Sequence, residues 1–203
     1  MDRHALPKPR LAPLAPDPQF KELFAAFDKS LGFVPNSVLI MQRKPKLVRA
    51  FMQLLAAVWD PDGEVDRGFK RLLAHVASRA AGCQYCMAHT AGGAMRFGVD
   101  EAKLAAVWDY RSSPLYSQAE RVALDFALAA ASVPNDVTDE LFARLRSHWS
   151  EGQVVEILAV IATFGFLNRW NDSLATPLEH EPSEVGEKLL ASHGWSAEKH
   201  RRI

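Results

Sequence analysis

Phe69-Lys70-Arg71-Leu72-Leu73-Ala74-His75-Val76, followed by Gly82-Cys83-Gln84-Tyr85-Cys86-Met87-Ala88-His89, is the stretch that decides how this chain folds. Phe69, Leu72, Leu73, Val76 and Ala80 recur at spacings of three and four, the period of an amphipathic helix that begins near Glu64. Gly82 ends it, because glycine adopts at little cost the left-handed conformation that closes a helix. A second helix is predicted from about Cys83 to Phe97, stopped by Gly98. Gly92-Gly93 inside it costs helix propensity and suggests a close helix crossing.

The same period extends in both directions. Asp17-Pro18 reads as a helix start, with Phe20, Leu23, Phe24, Phe27 and Leu31 on one stripe. Gly32-Phe33-Val34-Pro35-Asn36 breaks that helix. Another runs from Pro45 to about Trp59 with Leu47, Phe51, Leu54, Leu55 and Val58 inward, and Pro61-Asp62-Gly63 turns the chain. Further on, Asp100 caps a helix to about Tyr110, Ser117 with Glu120 forms a capping box for one reaching about Ala131, and Ser150 with Gln153 forms a second for a helix through Trp170. Sustained period-two alternation is absent, so the expected class is all-α, a bundle of eight to ten helices. Residues 1–18, with Pro7, Pro9, Pro13, Pro16 and Pro18, read as an extended arm, and residues 19–203 as a single helical domain. The runs Phe69 to Ala74 and Val154 to Ala159 resemble each other weakly, as two related helical halves would.

Nearly half of the 203 residues are apolar, enough for a real core, and 24 lysines and arginines balance 24 acidic residues without a long block of either sign. This argues against nucleic-acid and membrane-surface partners. The run Val154 to Leu167, interrupted by Glu156, Thr163 and Gly165, falls short of the roughly 20 residues that cross a bilayer. It reads as a core helix. The first 18 residues lack the apolar stretch of a secretory signal, and two cysteines three apart cannot staple distant parts of a secreted scaffold. A cytoplasmic location is expected.

On a helix, Cys83 and Cys86 are neighbours at i and i+3, as are Cys86 and His89, so one ridge carries thiol, thiol and imidazole. A thiolate is the reactive form of cysteine and is favoured by a helix N-terminus and by an adjacent imidazolium. The terminus favours Cys83 as the attacking thiol and the histidine favours Cys86, which leaves the choice open. Thiols so spaced can close a reversible disulfide. The alternatives are two merely buried cysteines, or a zinc site of Cys83, Cys86 and His89 completed by His75, His148 or another chain; no second ligand pair follows, so no metal is expected. Tyr85 is either core or a hydrogen-bond donor facing the site. Asn168-Arg169-Trp170-Asn171-Asp172 is either an ordinary helix end or part of the pocket wall.

Cys83-Gln84-Tyr85-Cys86-Met87-Ala88-His89-Thr90 between these two helices resembles the carboxymuconolactone decarboxylase superfamily, in particular its AhpD-like, peroxidase-related branch. Gly32 to Asn36, Ser117 to Phe126, Val137 to His148 and Asn168 to Glu179 extend the likeness over most of residues 20–180. The resemblance implies an AhpD-like fold, a homo-oligomer (trimer, hexamer or dimer), and reduction of hydroperoxides or disulfides at the expense of an external thiol reductant, without a cofactor. It implies Cys86 as the attacking thiol, Cys83 as the resolving thiol and His89 in a proton relay. Here the histidine follows the second cysteine by three residues rather than four, and Lys70-Arg71 stands where the family relay has a glutamate. Arg71, with Tyr85, is therefore assigned to substrate binding. Glu156, the charged residue within the apolar run, is expected to replace the missing carboxylate if buried near the thiols; otherwise it is an exposed residue at a helix start. The lactone decarboxylation in the superfamily name has no need of two thiols, and a redox sensor or zinc-stabilised module is the non-enzymatic alternative.

Overall fold

The computed structural model describes residues 9–201, so the first eight residues of the expected arm lie outside the described residues. Residues 9–17 are extended and held by backbone anchors: Arg10 N–H donates to Leu174 O at 3.0 Å, and Asp17 N–H donates to Gln42 Oε1 at 2.9 Å. After a 3₁₀ turn at Pro18–Phe20 come α1 (Lys21–Leu31), α2 (Asn36–Met41), α3 (Pro45–Val58), α4 (Arg67–Ala80), α5 (Gln84–Arg96) and α6 (Glu101–Ala105). Then follow α7 (Gln118–Ala131), α8 (Asp139–Arg146), α9 (Glu151–Leu174) and α10 (His180–Val185), the last running on through a π-helical turn at Gly186–Leu190. The described residues contain these ten α-helices and no strand, as the single hydrophobic period requires.

Both capping boxes form: Ser117 with Glu120 opens α7, and Ser150 with Gln153 opens α9. Gly82 has φ +70°, which lets the chain reverse at once from α4 into α5. The two helices then run side by side, and at Gly93 an added Cβ would lie 3.3 Å from Arg71 Cδ. That is the close crossing expected from Gly92-Gly93.

Two apolar cores result. The larger packs α4, α5, α7 and α9 through Leu72, Leu73, Ala88, Leu124 and Ile157, each without solvent exposure. Truncating one of these leucines would cost about 2–5 kcal/mol. The smaller joins α1 to α3 through Phe20, Phe24, Phe27, Val48 and Phe51, and rests on Leu167 and Trp170 of α9. The longest helix, α9, thus belongs to both. At 24 residues it exceeds the apolar run counted in the sequence, because the polar turns at each end stay helical, and by length and composition alone it could cross a membrane. Its inner face nevertheless buries Val154, Ile157, Val160, Ile161 and Phe164 in the protein core, while Val155, Leu158 and Phe166 remain exposed.

The proposed halves do not match at this point. The helix α4 stops at Gly82, whereas α9 continues without a break, so no counterpart of the cysteine turn follows it.

Candidate functional site

Cys83 is the N-cap of α5, in extended conformation, and its sulfur accepts the Cys86 backbone N–H at 3.4 Å. A cap whose acceptor is sulfur puts that atom against the positive end of the helix. One turn on, Cys86 lies beside it, and Asn171 Nδ2 of α9 donates to the Cys86 sulfur at 3.5 Å. Asn171 therefore belongs to the pocket wall, which decides between the two readings of the polar segment after α9's apolar run. Both cysteines are buried thiols. Burial pushes the Cys86 thiol well above its ordinary value, and the neighbouring Cys83 adds to the rise, against a smaller pull from Asn171. Cys86 therefore rests protonated at neutral pH.

His89, which shares the cavity wall with Cys86, is organised by Glu179, a residue that the sequence offers only as the end of a resembling segment. His89 Nε2 lies 2.6 Å from Glu179 Oε2, and the Tyr85 hydroxyl donates to Glu179 Oε1 at 2.9 Å. The Asn36 backbone N–H also donates to Oε1, and Asn36 Nδ2 donates to Pro177 O at 3.0 Å. The segment before α10 is thereby tied to the start of α2. Burial alone would raise the Glu179 carboxyl, but His89 and the Asn36 amide outweigh it and hold it below its ordinary value. An ionised Glu179 takes the Nε2–H of His89 and leaves Nδ1 as the basic ring nitrogen. The Tyr85 ring stacks on His89 with centroids 4.3 Å apart, fixing the plane of the imidazole.

Cys86, His89 and Tyr85 open on a cavity of about 240 Å³ at the seam between the two cores, walled by Phe27, Phe51, Trp59 and Phe164. Cys83 is not among its lining residues. Arg71 also lines the cavity, its guanidinium 3.6 Å from the centroid of Trp59 and 5.0 Å from that of Phe97. Its Nε is enclosed without a hydrogen-bond partner, and among the described residues no carboxylate pairs with it. Burial, with repulsion from Arg67 and Arg96, pulls this guanidinium down to about 9, which still leaves it charged at neutral pH. Among the residues assigned from sequence, the structure thus brings Cys83, Cys86, His89, Tyr85 and Arg71 together around one pocket region.

Glu156 is not brought there. Its carboxylate is 2.6 Å from Lys70 Nζ and accepts the backbone N–H groups of Glu64 at 2.8 Å and Val65 at 3.3 Å. It lies in the first turns of α9, whereas Asn171, which touches Cys86, is fifteen residues further, about 22 Å along the axis. The physical reason is Lys70: with 1% exposure and Val58 O at 3.3 Å, that buried ammonium requires a carboxylate, and Glu156 supplies it. The carboxylate beside the imidazole is Glu179 instead. The sequence carried one faint signal of it, an acidic residue after Pro177 in a segment otherwise bound for a helix start.

The zinc set also does not converge. His89 is held by Glu179, and His148 is exposed beyond α8. His75 lies inside the core with Nδ1 3.1 Å from Met87 O and 3.0 Å from Thr90 Oγ1, and burial pulls it down to about 4, so it is neutral. The donor atoms that do gather, within 4.8 Å of one another, belong to Cys83, Asp172 and His200.

The carboxymuconolactone decarboxylase family model matches residues 45–129, from α3 to α7. Apo Bmp8, a debrominase, superposes with a TM-score of 0.82 at 35% identity over 88% of this chain and 96% of Bmp8. A cysteine-to-alanine variant of Bmp8 in complex with 2,3,4-tribromopyrrole superposes with a TM-score of 0.83. A peroxidase-related protein from Silicibacter sp. TM1040 shares the fold, with a TM-score of 0.76 at 22% identity over 88% of this chain and 96% of that one. Among curated proteins, YnjA of Escherichia coli K12 is 34% identical over 97 residues, 48% of this chain, and the match spans only about half, 53%, of YnjA.

Proposed function

We propose that this chain, which belongs to the carboxymuconolactone decarboxylase family in its AhpD-like, peroxidase-related branch, is a thiol-dependent peroxidase that reduces a small organic hydroperoxide with the electrons of Cys83 and Cys86. One observation carries this: Cys86 faces an aromatic-walled cavity together with a carboxylate-held His89, while Cys83 waits behind it in contact with the same helix turn. His89 Nδ1 takes the Cys86 proton as substrate arrives. The thiolate attacks the outer peroxide oxygen, the O–O bond breaks, and the departing alkoxide takes the proton to leave as an alcohol. The resulting Cys86 sulfenic acid is attacked by Cys83, giving a disulfide and water, and an external thiol reductant restores the dithiol. The apolar cavity favours an organic hydroperoxide over hydrogen peroxide.

The test is stopped-flow oxidation of the thiols by hydrogen peroxide and by cumene hydroperoxide. Cys86→Ser is expected to abolish the fast phase, and Cys83→Ser to leave one fast oxidation ending in a trapped sulfenic acid. The reverse pattern would assign attack to Cys83.

A second reading is reductive dehalogenation of a small aromatic ring, favoured by the 35% identity with the debrominase Bmp8 over nearly its whole length. The same two thiols balance it: aryl halide plus dithiol gives arene, hydrogen halide and disulfide. Arg71 suits either substrate if it bears an acidic group, since a charged guanidinium lacking a carboxylate is completed by an anion. Bromide release from a brominated pyrrole, measured beside hydroperoxide consumption, separates the readings. The exposed stripe of Val155, Leu158 and Phe166 on α9 supports self-association, which sedimentation of the intact chain would measure.

A further inference from the structure

Cys83 looks away from the cavity, and on that side it meets residues that the chemistry above does not use. His200, from a 3₁₀ turn at Glu198–His200, is fully buried, and its Nδ1 lies 2.8 Å from Thr176 O. A carbonyl oxygen only accepts, so Nδ1 carries the proton and the neutral ring keeps its lone pair on Nε2. That atom is enclosed without a hydrogen-bond partner. A ring nitrogen of His200, the Cys83 sulfur and an Asp172 carboxylate oxygen lie within 4.8 Å of one another, and Nε2 is 3.6 Å from Asp172 Oδ1, beyond hydrogen-bond length. The turn is not adrift: Leu178 N–H donates to His200 O at 2.8 Å, binding it to the segment that carries Glu179.

We infer that His200 is a second, separate base, which takes the proton of Cys83 so that its thiolate can attack the oxidised Cys86. The inference rests on the reading of the cysteines as a working pair. In the step, the Cys83 S–H proton passes to His200 Nε2, and Cys83 sulfur forms its bond to Cys86 sulfur as the S–O bond of the sulfenic acid breaks. The departing hydroxide takes the proton from His200 and leaves as water. Asp172 stabilises the transient imidazolium. The two thiols then have two bases, His89 for Cys86 and His200 for Cys83, on opposite sides of α5's first turn.

The groups around the His200 imidazole are Cys83, Asp172 and the Tyr85 ring, whose centroid is 5.9 Å away; Lys199 Nζ is 2.8 Å from Asp172 Oδ2. Burial lowers His200 from its ordinary value, against raising contributions from Thr176 and Asp172, so the ring is neutral and able to accept at physiological pH.

The experiment needs neither peroxide nor any other substrate, so its failure is distinct from failure of the peroxidase reading. In Cys86→Ser the sole remaining thiol is Cys83, and its ultraviolet thiolate absorbance is titrated with pH. Adding His200→Asn, whose amide keeps the donor to Thr176 O but lacks an atom at Nε2, is expected to move the Cys83 inflection up by about one pH unit or more, a tenfold loss of thiolate at fixed pH. Should that double variant not fold, the reciprocal measurement stands: the NMR titration of the His200 ring is expected to shift when Cys83 alone is changed to serine. Unchanged Cys83 titration in His200→Asn, or a His200 titration indifferent to Cys83→Ser, would overturn the inference. So would one equivalent of zinc in the purified chain that is lost with Cys83→Ser, because a metal would then occupy the lone pair assigned here to the proton.

Discussion

Two carboxylates in this molecule, Glu156 and Glu179, each sit 2.6 Å from a basic side chain, yet they do different work. Glu156 meets Lys70, a buried amine that does not line the cavity. Glu179 meets His89, an imidazole that lines a cavity with a thiol. Both carboxylates are held below their ordinary values, in each case because a base and backbone amides outweigh burial. The difference is therefore not in the acid but in its partner. A carboxylate locked to a buried lysine neutralises it, whereas one holding an imidazole orients a lone pair that can move a proton.

Changes at the reacting atom should have the largest effect. Cys86→Ser is expected to lower thiol oxidation by at least about a thousandfold, measured by stopped flow. Glu179→Gln, which keeps the shape but loses the charge that fixes the His89 tautomer, is expected to slow Cys86 oxidation by about a hundredfold with only a small fall in melting temperature. Glu156→Gln should do the opposite. It leaves the buried Lys70 amine without its carboxylate, so denaturant titration should show a loss of about 1–3 kcal/mol, with the oxidation rate within twofold of the parent. A Glu156 variant that lost activity at unchanged stability would break the distinction between the two pairs.

Arg71→Met is expected to raise KM for an acidic substrate about tenfold while leaving kcat and the KM for a neutral hydroperoxide unchanged. The most gradual effect is spread along the pH axis. His75 is buried neutral, its value pulled from 6.5 to about 4, so below pH 6.5 the unfolded chain takes up a proton that the folded chain refuses. Stability should fall by about 1.4 kcal/mol for each pH unit descended between 6.5 and 4. Glu156 and Glu179 add a second limb: their contributions are present above about 4.5 and are lost as pH falls below it. In Glu179→Gln that lower limb should flatten while the His75 limb persists.

Much of the site was legible because it is local. Cys83, Cys86 and His89 lie within the first two turns of one helix, and spacing alone puts them on a ridge. Tyr85 was readable from its place within the motif, and Arg71 from standing where the resembled family has a glutamate. Glu179 and His200 were not readable, since they lie 90 and more residues beyond the cysteines and meet them through segments with no periodicity of their own. The assignment of Glu156 failed for a related reason: its isolation in an apolar run marked it as needing a partner, but nothing in the order of residues told that the partner was Lys70.

What the sequence determined by itself is what depends on neighbours along the chain: the helical class, the two capping boxes, the reversal at Gly82, and the thiols on the first turn of α5. These follow from hydrogen bonds and side-chain contacts made within a few residues, and packing had only to leave them in place. What the tertiary structure decided is which base meets which acid. An ammonium or an imidazole taken out of water requires an opposite charge or an acceptor, and several carboxylates in the sequence were chemically able to provide one. Only the packing of α4 against α9 gives Glu156 to Lys70, and only the return of the chain past α9 brings Glu179 to His89 and His200 to Cys83.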